Sequence, residues 1–137
     1  MTTTQDIAGR YVALWTESDA ARRRAAVEEL WAPDGVHLLQ PPEEIRKQAA
    51  ELGFGGTALE ARGHDALEER VTRAYEEFVA GGEFTFRGSG EAVRLRDAVR
   101  LTWEMVAVAG GEVVGGGVDV LVLDGAGRIV TDYQFPA

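Results

Sequence analysis

The sequence predicts an α+β domain in which N-terminal helices pack on one face of a strongly curved antiparallel sheet. Three observations carry this. Apolar residues recur at helical spacing through the first half of the chain and at alternate positions after it. The strand-like runs are joined by Gly-rich turns, and strands joined so closely must run antiparallel. The 137 residues, 45% of them hydrophobic, suit one compact domain over 1–137 with a core of its own. Helices first and strands after give segregated layers rather than alternating βαβ units.

The first helix is read from "TTQDIAGRYVALW", where Ile7, Tyr11, Leu14 and Trp15 share a face and Thr3 or Thr4 caps the start. "SDAARRRAAVEELW" opens at Ser18 and carries Val27, Leu30 and Trp31 on one stripe, and "APDG" at 32–35 stops it. "VHLLQ" at 36–40 reads as a short strand, and "EEIRKQAAEL" as an amphipathic helix ended by Gly53, with a Gly-rich loop beyond. "GHDALEERVTRAYEEFVAGG" is a long helix with Leu67, Val71, Ala74, Tyr75 and Phe78 as its stripe, ended by Gly81-Gly82. "EFTFRGSG", "EAVRLRDAVRLTWEMVAVA", "GEVVGGGVDVLVLD" and "GRIVTDYQF" then read as strands.

Composition excludes several functions. A formal charge of −9 argues against nucleic acid and anionic membrane surfaces, since phosphate binding needs clustered cations. The one basic cluster, "ARRR" at 21–24, precedes Glu28 and Glu29 and reads as a solvated helix face. Without cysteine there are no disulfides, thiolate metal sites or cysteine nucleophiles. The N-terminus shows no secretory pattern and no apolar run spans a bilayer, so the expectation is a soluble cytoplasmic protein. The abundance of Ala, Arg, Gly and Glu points to a GC-rich bacterial genome. Two histidines without a carboxylate at ligand spacing predict no metal site, and no nucleotide or dinucleotide glycine signature is present; "GFGGTALE" lacks the spacing and the flanking strand. No cofactor is expected.

One residue stands against its surroundings. Asp124 in "DGAG" is turn chemistry, but Asp119 sits inside the apolar run "GVDVLVL". Alternation puts Asp119, Leu121 and Leu123 on one face and Val118, Val120 and Val122 on the other. A bent sheet closed by helices leaves a hollow at its mouth, so Asp119 is expected to face it. Burial there favours the neutral acid, which can donate to an enolate or shuttle a proton. The competing reading is a buried Asp bonded for structural reasons alone. His37 could share the inward face of its strand with Leu39 and act as an acid/base partner. Gln40 is the alternative lining if the other face is inward. Trp15, Trp31, Phe86, Trp103, Met105, Leu121 and Tyr133 complete the expected apolar lining. The second apolar face, Val118, Val120 and Val122, is expected to meet another copy of the chain, a homodimer through the convex side of the sheet.

Four segments carry a resemblance: "RYVALW", "LWAPDGV", "GHDAL" and "GVDVLVLDGAGRIV". In this order the chain resembles the NTF2-like superfamily of cone-shaped α+β domains, in its SnoaL-like branch of polyketide cyclases with the ketosteroid isomerases as relatives. The resemblance spans nearly the whole chain and implies the fold more strongly than any one activity. It implies that Tyr11 and Asp119 occupy the positions of the isomerases' oxyanion donors, the neutral-acid case used as a standard example of pKa tuning, and that Asp119 matches the acid/base residue of the cyclases. The isomerase base is an Asp before Pro; here Gln40 precedes Pro41, and an amide cannot abstract a proton, which argues against the isomerase route. Asp97 and Arg100 resemble the carboxylate–guanidinium arrangement of epoxide hydrolases of this fold, against the reading of "RLRD" as a solvated strand edge. The functional expectation is a domain binding a small apolar molecule, acting on a carbonyl compound as a cofactor-independent cyclase or isomerase. The alternatives are a non-catalytic binding module and a dimerising domain whose hollow is filled with rings.

Overall fold

The structure, a computed structural model, describes residues 2–53 and 58–137. Helix α1 spans Thr4–Leu14, α2 Ala20–Leu30, α3 Glu43–Glu51 and α4 His64–Ala74, the last running on into a π-helical turn, Tyr75–Val79. The strands are β1 Trp31–Leu39, β2 Leu59–Arg62, β3 Phe84–Leu95, β4 Ala98–Ala107, β5 Val113–Leu123 and β6 Ile129–Pro136. They form one sheet in the order β2-β1-β6-β5-β4-β3. α1 packs on β3 and β4, and α2 and α4 pack on each other and on β1.

Local chemistry sets the helix starts. Thr3 caps α1 in a capping box with Asp6: the Thr3 hydroxyl accepts from the Asp6 amide at 3.0 Å and the Asp6 carboxylate accepts from the Thr3 amide at 3.0 Å. Asp19, not Ser18, caps α2, accepting from the Arg22 amide at 2.9 Å; its charge also complements the positive end of the helix. The "ARRR" run is not wholly solvated. Arg23 is buried, donates to the Glu17 and Ser18 carbonyls and stacks its guanidinium 4.8 Å over the Tyr75 ring.

Four features of the sheet depart from expectation. β1 begins at Trp31, so residues 32–35 belong to the strand, which carries an irregularity between Trp31 and Val36. β2 pairs with β1, although only Ala61 of its four residues is buried; pairing rather than pattern makes it a strand. The Gly-rich loop expected after Gly53 falls on residues 54–57, outside the described residues. β3 runs through "GSG" with a register shift between Ser89 and Val93, and the turn to β4 lies at Arg96-Asp97. Finally, β1 joins β6 in parallel, because short turns dictate direction only for consecutive strands. The β3–β6 meander is antiparallel throughout, and its register shifts bend and twist the strands. Asp97 and Arg100 are exposed, so the epoxide-hydrolase arrangement does not form.

The core lies between the helices and the inward face of the sheet, with Tyr11, Leu14, Val27, Trp31, Leu67, Leu121 and Ile129 almost wholly buried. No helix among the described residues is long and apolar enough to cross a membrane.

Candidate functional site

Register assembles the site. His37 lies opposite Asp132 in the β1–β6 ladder, Gln134 opposite Asp119 in β6–β5, and Trp103 opposite Gly117 in β4–β5. Alternation turns these side chains inward at one end of the sheet, where Tyr11 of α1 reaches them. A Cβ on Gly117 would fall 2.6 Å from the Trp103 ring, so only glycine there lets the indole lie against β5 and point its Nε1 at Asp119.

Five side chains then form a hydrogen-bonded cluster with fixed directions. Asp119 accepts three bonds: Trp103 Nε1 at 2.7 Å and Gln134 Nε2 at 3.2 Å on Oδ1, and the Tyr11 hydroxyl at 2.7 Å on Oδ2. The Tyr11 oxygen also contacts Asp132 Oδ2. One hydroxyl has one proton, so it cannot donate to both carboxyl groups. Asp132 is fully buried, its Oδ1 has no partner, and the Asp119 charge stands beside it. Burial first and that charge second hold its carboxyl well above the usual range. Asp132 therefore keeps its proton and donates it to Tyr11, which donates to Asp119. Burial and the two acids likewise raise the Tyr11 phenol well above its ordinary value.

The other arm starts at Arg70 of α4. Its Nη1 lies 2.9 Å from His37 Nδ1, and a guanidinium can only donate. The imidazole proton is therefore on Nε2, which donates to Gln134 Oε1 at 3.1 Å. That bond orients the amide so that Gln134 Nε2 donates onward to Asp119. Burial and the neighbouring Arg70 cation push His37 down to about 4, so it is neutral at pH 7. His37, Asp119 and Asp132 bring ligand-type atoms within 4.8 Å of one another. Sequence spacing did not foretell this, since the two acids come from other strands. A metal ion would need the Nε2 lone pair that the Arg70 bond denies it. The donor set fits a shared proton, not a cation.

Above this cluster a cavity of about 330 Å³ opens toward solvent. Its walls are apolar: Val12, Trp15, Leu39, Ala74, Phe78, Phe86, Trp103, Met105 and Pro136. Its polar lining is Tyr11, His37, Arg70 and Gln134. Phe86 stands edge-on to Trp103 at 5.7 Å, and Phe78, 38% exposed, edge-on to Phe86 at 6.1 Å. Two other hollows, of about 350 and 430 Å³, lie between α1 and β3–β4 and beside Arg10, Arg94 and Arg128. Neither touches the carboxyl pair.

Of the residues expected from sequence, Tyr11, His37, Trp15, Leu39, Phe86, Trp103 and Met105 meet at this cavity. Asp119 does not line it. It lies beneath a floor of Tyr11, Trp103 and Gln134, which occupy its oxygens. Trp31 and Leu121 are core, buried below the cavity. Gln40 is not part of the lining and is held by its backbone amide on the Gln134 carbonyl at 3.0 Å. Tyr133 is 42% exposed, on the convex face. Asp132, Gln134 and Arg70 are the residues that sequence reasoning missed. Taking the aromatic Tyr133 as the inward residue of "TDYQF" assigns Asp132 and Gln134 to the wrong side. The usable signal is that Asp132 and Gln134 are two apart, as are His37 and Leu39.

No protein-family model matches the chain, and no curated protein matches it. Among solved structures it is similar to a SnoaL-like family protein from Agrobacterium tumefaciens C58, at 25% identity and a TM-score of 0.78, over 100% of this chain and 99% of that one. It is also similar to an NTF2-like protein of unknown function from Exiguobacterium sp. 255-15, at 20% identity and a TM-score of 0.64 over 98% of each chain. A SnoaL-like protein of unknown function from Burkholderia thailandensis E264 is 15% identical, with a TM-score of 0.57 over 98% of each chain.

Proposed function

We propose that this chain, an NTF2-like domain of the SnoaL-like kind, binds a small, largely apolar carbonyl compound at the mouth of its cone and acts on it by acid–base chemistry without a cofactor. The observation that carries this reading is a cavity with apolar walls resting on two carboxyl groups that share a proton through Tyr11. In enolisation a ligand oxygen that gains negative charge can take a proton from Tyr11 while Asp132 replaces it from behind, and the α-proton leaves to water at the open mouth of the cavity. His37 has both ring nitrogens engaged; it positions Gln134 rather than acting as a free base. The Agrobacterium protein is provisionally described as an isomerase, which is compatible with this reaction class.

A second reading is a non-catalytic binding module. It is favoured by one observation: the carboxyl oxygens of Asp119 are already occupied by protein donors. One experiment separates the two. 2-Acetonaphthone is titrated by quenching of the cavity tryptophans, and exchange of its α-hydrogens is followed by NMR in deuterated buffer. Catalysis requires exchange above background that falls at least about 100-fold in Asp132→Asn, with binding retained. Binding without exchange leaves the module reading; no binding removes both.

The proposed assembly is a homodimer through the convex face. Val118, Val120 and Val122 of β5 are half-buried there beside exposed Tyr133 and Phe135 of β6, an apolar patch without cover. Val120→Glu is expected to convert a dimer to a monomer in sedimentation equilibrium. A wild-type monomer at tens of micromolar would end this part of the proposal.

A further inference from the structure

We infer that the ligand of this cavity carries a carboxylate and that Arg70 holds it. The inference rests on the cavity being the binding site. Arg70 is the one charged side chain among the described residues lining it. Its contacts to the protein all go through Nη1: to His37 Nδ1 at 2.9 Å, the Leu59 carbonyl at 3.1 Å and the His37 carbonyl at 3.3 Å. Nε and Nη2 make no hydrogen bond within the described residues, and Arg70 forms no ion pair there. Three anchors on one nitrogen hold the guanidinium plane still. The edge left over is the side-on fork of two parallel N–H groups that a carboxylate accepts with both oxygens.

Energetics point the same way. Arg70 is only half-exposed beside apolar walls, and burial lowers its pKa. A cation so placed gains most from a partner that arrives with the ligand, because the apolar walls exclude competing water. Asp119, the nearby anion, already takes three donors and lies on the far side of His37 and Gln134. The chain's charge of −9 opposes an anionic ligand at long range, but screening over about 8 Å at physiological salt confines that opposition. Arg70 thus sets specificity for one class: small apolar carboxylic acids, with the acid at the Nδ1 side of His37 and the Tyr11 hydroxyl beyond its Nε2 side.

The test is calorimetry at 0.15 M salt with 2-naphthoate and its methyl ester as probes. The wild type is expected to bind the acid about 10- to 100-fold more tightly, the range of a charge-assisted pair. Arg70→Gln should erase that preference while holding the ester within about threefold. Arg70→Lys, which keeps the charge but not the fork, should fall between, and it serves if Arg70→Gln does not fold. Equal binding of acid and ester by the wild type overturns the role of Arg70 and leaves the cavity reading standing. So does Arg70→Gln weakening both probes alike, which marks Arg70 as a strut. Failure of both probes to bind overturns the cavity reading, and this inference with it.

Discussion

Asp119→Ala is expected to lower folding stability by about 4 kcal/mol at pH 7, whereas Asp132→Asn does not lower it there. The two carboxyl groups are equally buried, so burial alone predicts equal costs. Bond direction predicts the difference. Removing Asp119 strands three donors, the Tyr11 hydroxyl, Trp103 Nε1 and Gln134 Nε2, and an unsatisfied buried donor costs about 1–3 kcal/mol. Asparagine at 132 offers Tyr11 an N–H where the neutral acid offers an O–H, and it leaves the same unpartnered oxygen behind. Denaturant unfolding of both variants at pH 7 measures this. Similar losses, or the reverse order, would put the shared proton on the other acid.

The second large effect is on the pH profile. His37 is depressed from 6.5 to about 4, so the fold holds it neutral while the unfolded chain takes a proton below 6.5. Its contribution is full above 6.5 and is lost as pH falls toward 4. Asp132 is raised above 3.8, so its contribution is full below 3.8 and is lost as pH rises through its folded value. From pH 4 upward the two slopes oppose each other for as long as both groups titrate. The His37 slope ends at 6.5, and the Asp132 slope, about 1.4 kcal/mol lost per pH unit, ends where its folded carboxyl titrates. Asp132→Asn removes that loss. The stability of the variant minus that of the wild type should therefore be level below pH 3.8 and climb by about 1.4 kcal/mol per unit above it, until the folded Asp132 titrates. Melting curves from pH 3 to 9 report it. A level difference across that range would mean that Asp132 is ionised in the fold.

Particular residues show why some of the site is legible in sequence and some is not. Asp119 stands out because an acid amid Val and Leu breaks a period-two pattern that otherwise predicts burial. Tyr11 lies on a regular helical stripe, and the resemblance adds its place opposite Asp119. Asp132 shows no such break: "TDYQF" is polar enough to read as a solvated strand end, and its aromatic residue draws the eye to the wrong face. Arg70 is one of several charged residues on α4, and nothing local distinguishes the one that reaches His37. The cap of α2 illustrates the same limit at small scale, because Ser18 and Asp19 both suit the role and only backbone geometry selects Asp19.

Elements and layers are written in the order of residues, since periodicity and turn chemistry act over a few positions and each segment carries its own. The α+β architecture, the antiparallel meander and the buried acid on β5 follow from that alone. The parallel β1–β6 ladder, the linking of Asp119 and Asp132 through Tyr11 and the tautomer of His37 do not. Each depends on groups at least about 30 residues apart brought within a few ångströms, where donor must meet acceptor. That matching of protons is a property of the assembled interior, and tertiary structure alone decides it.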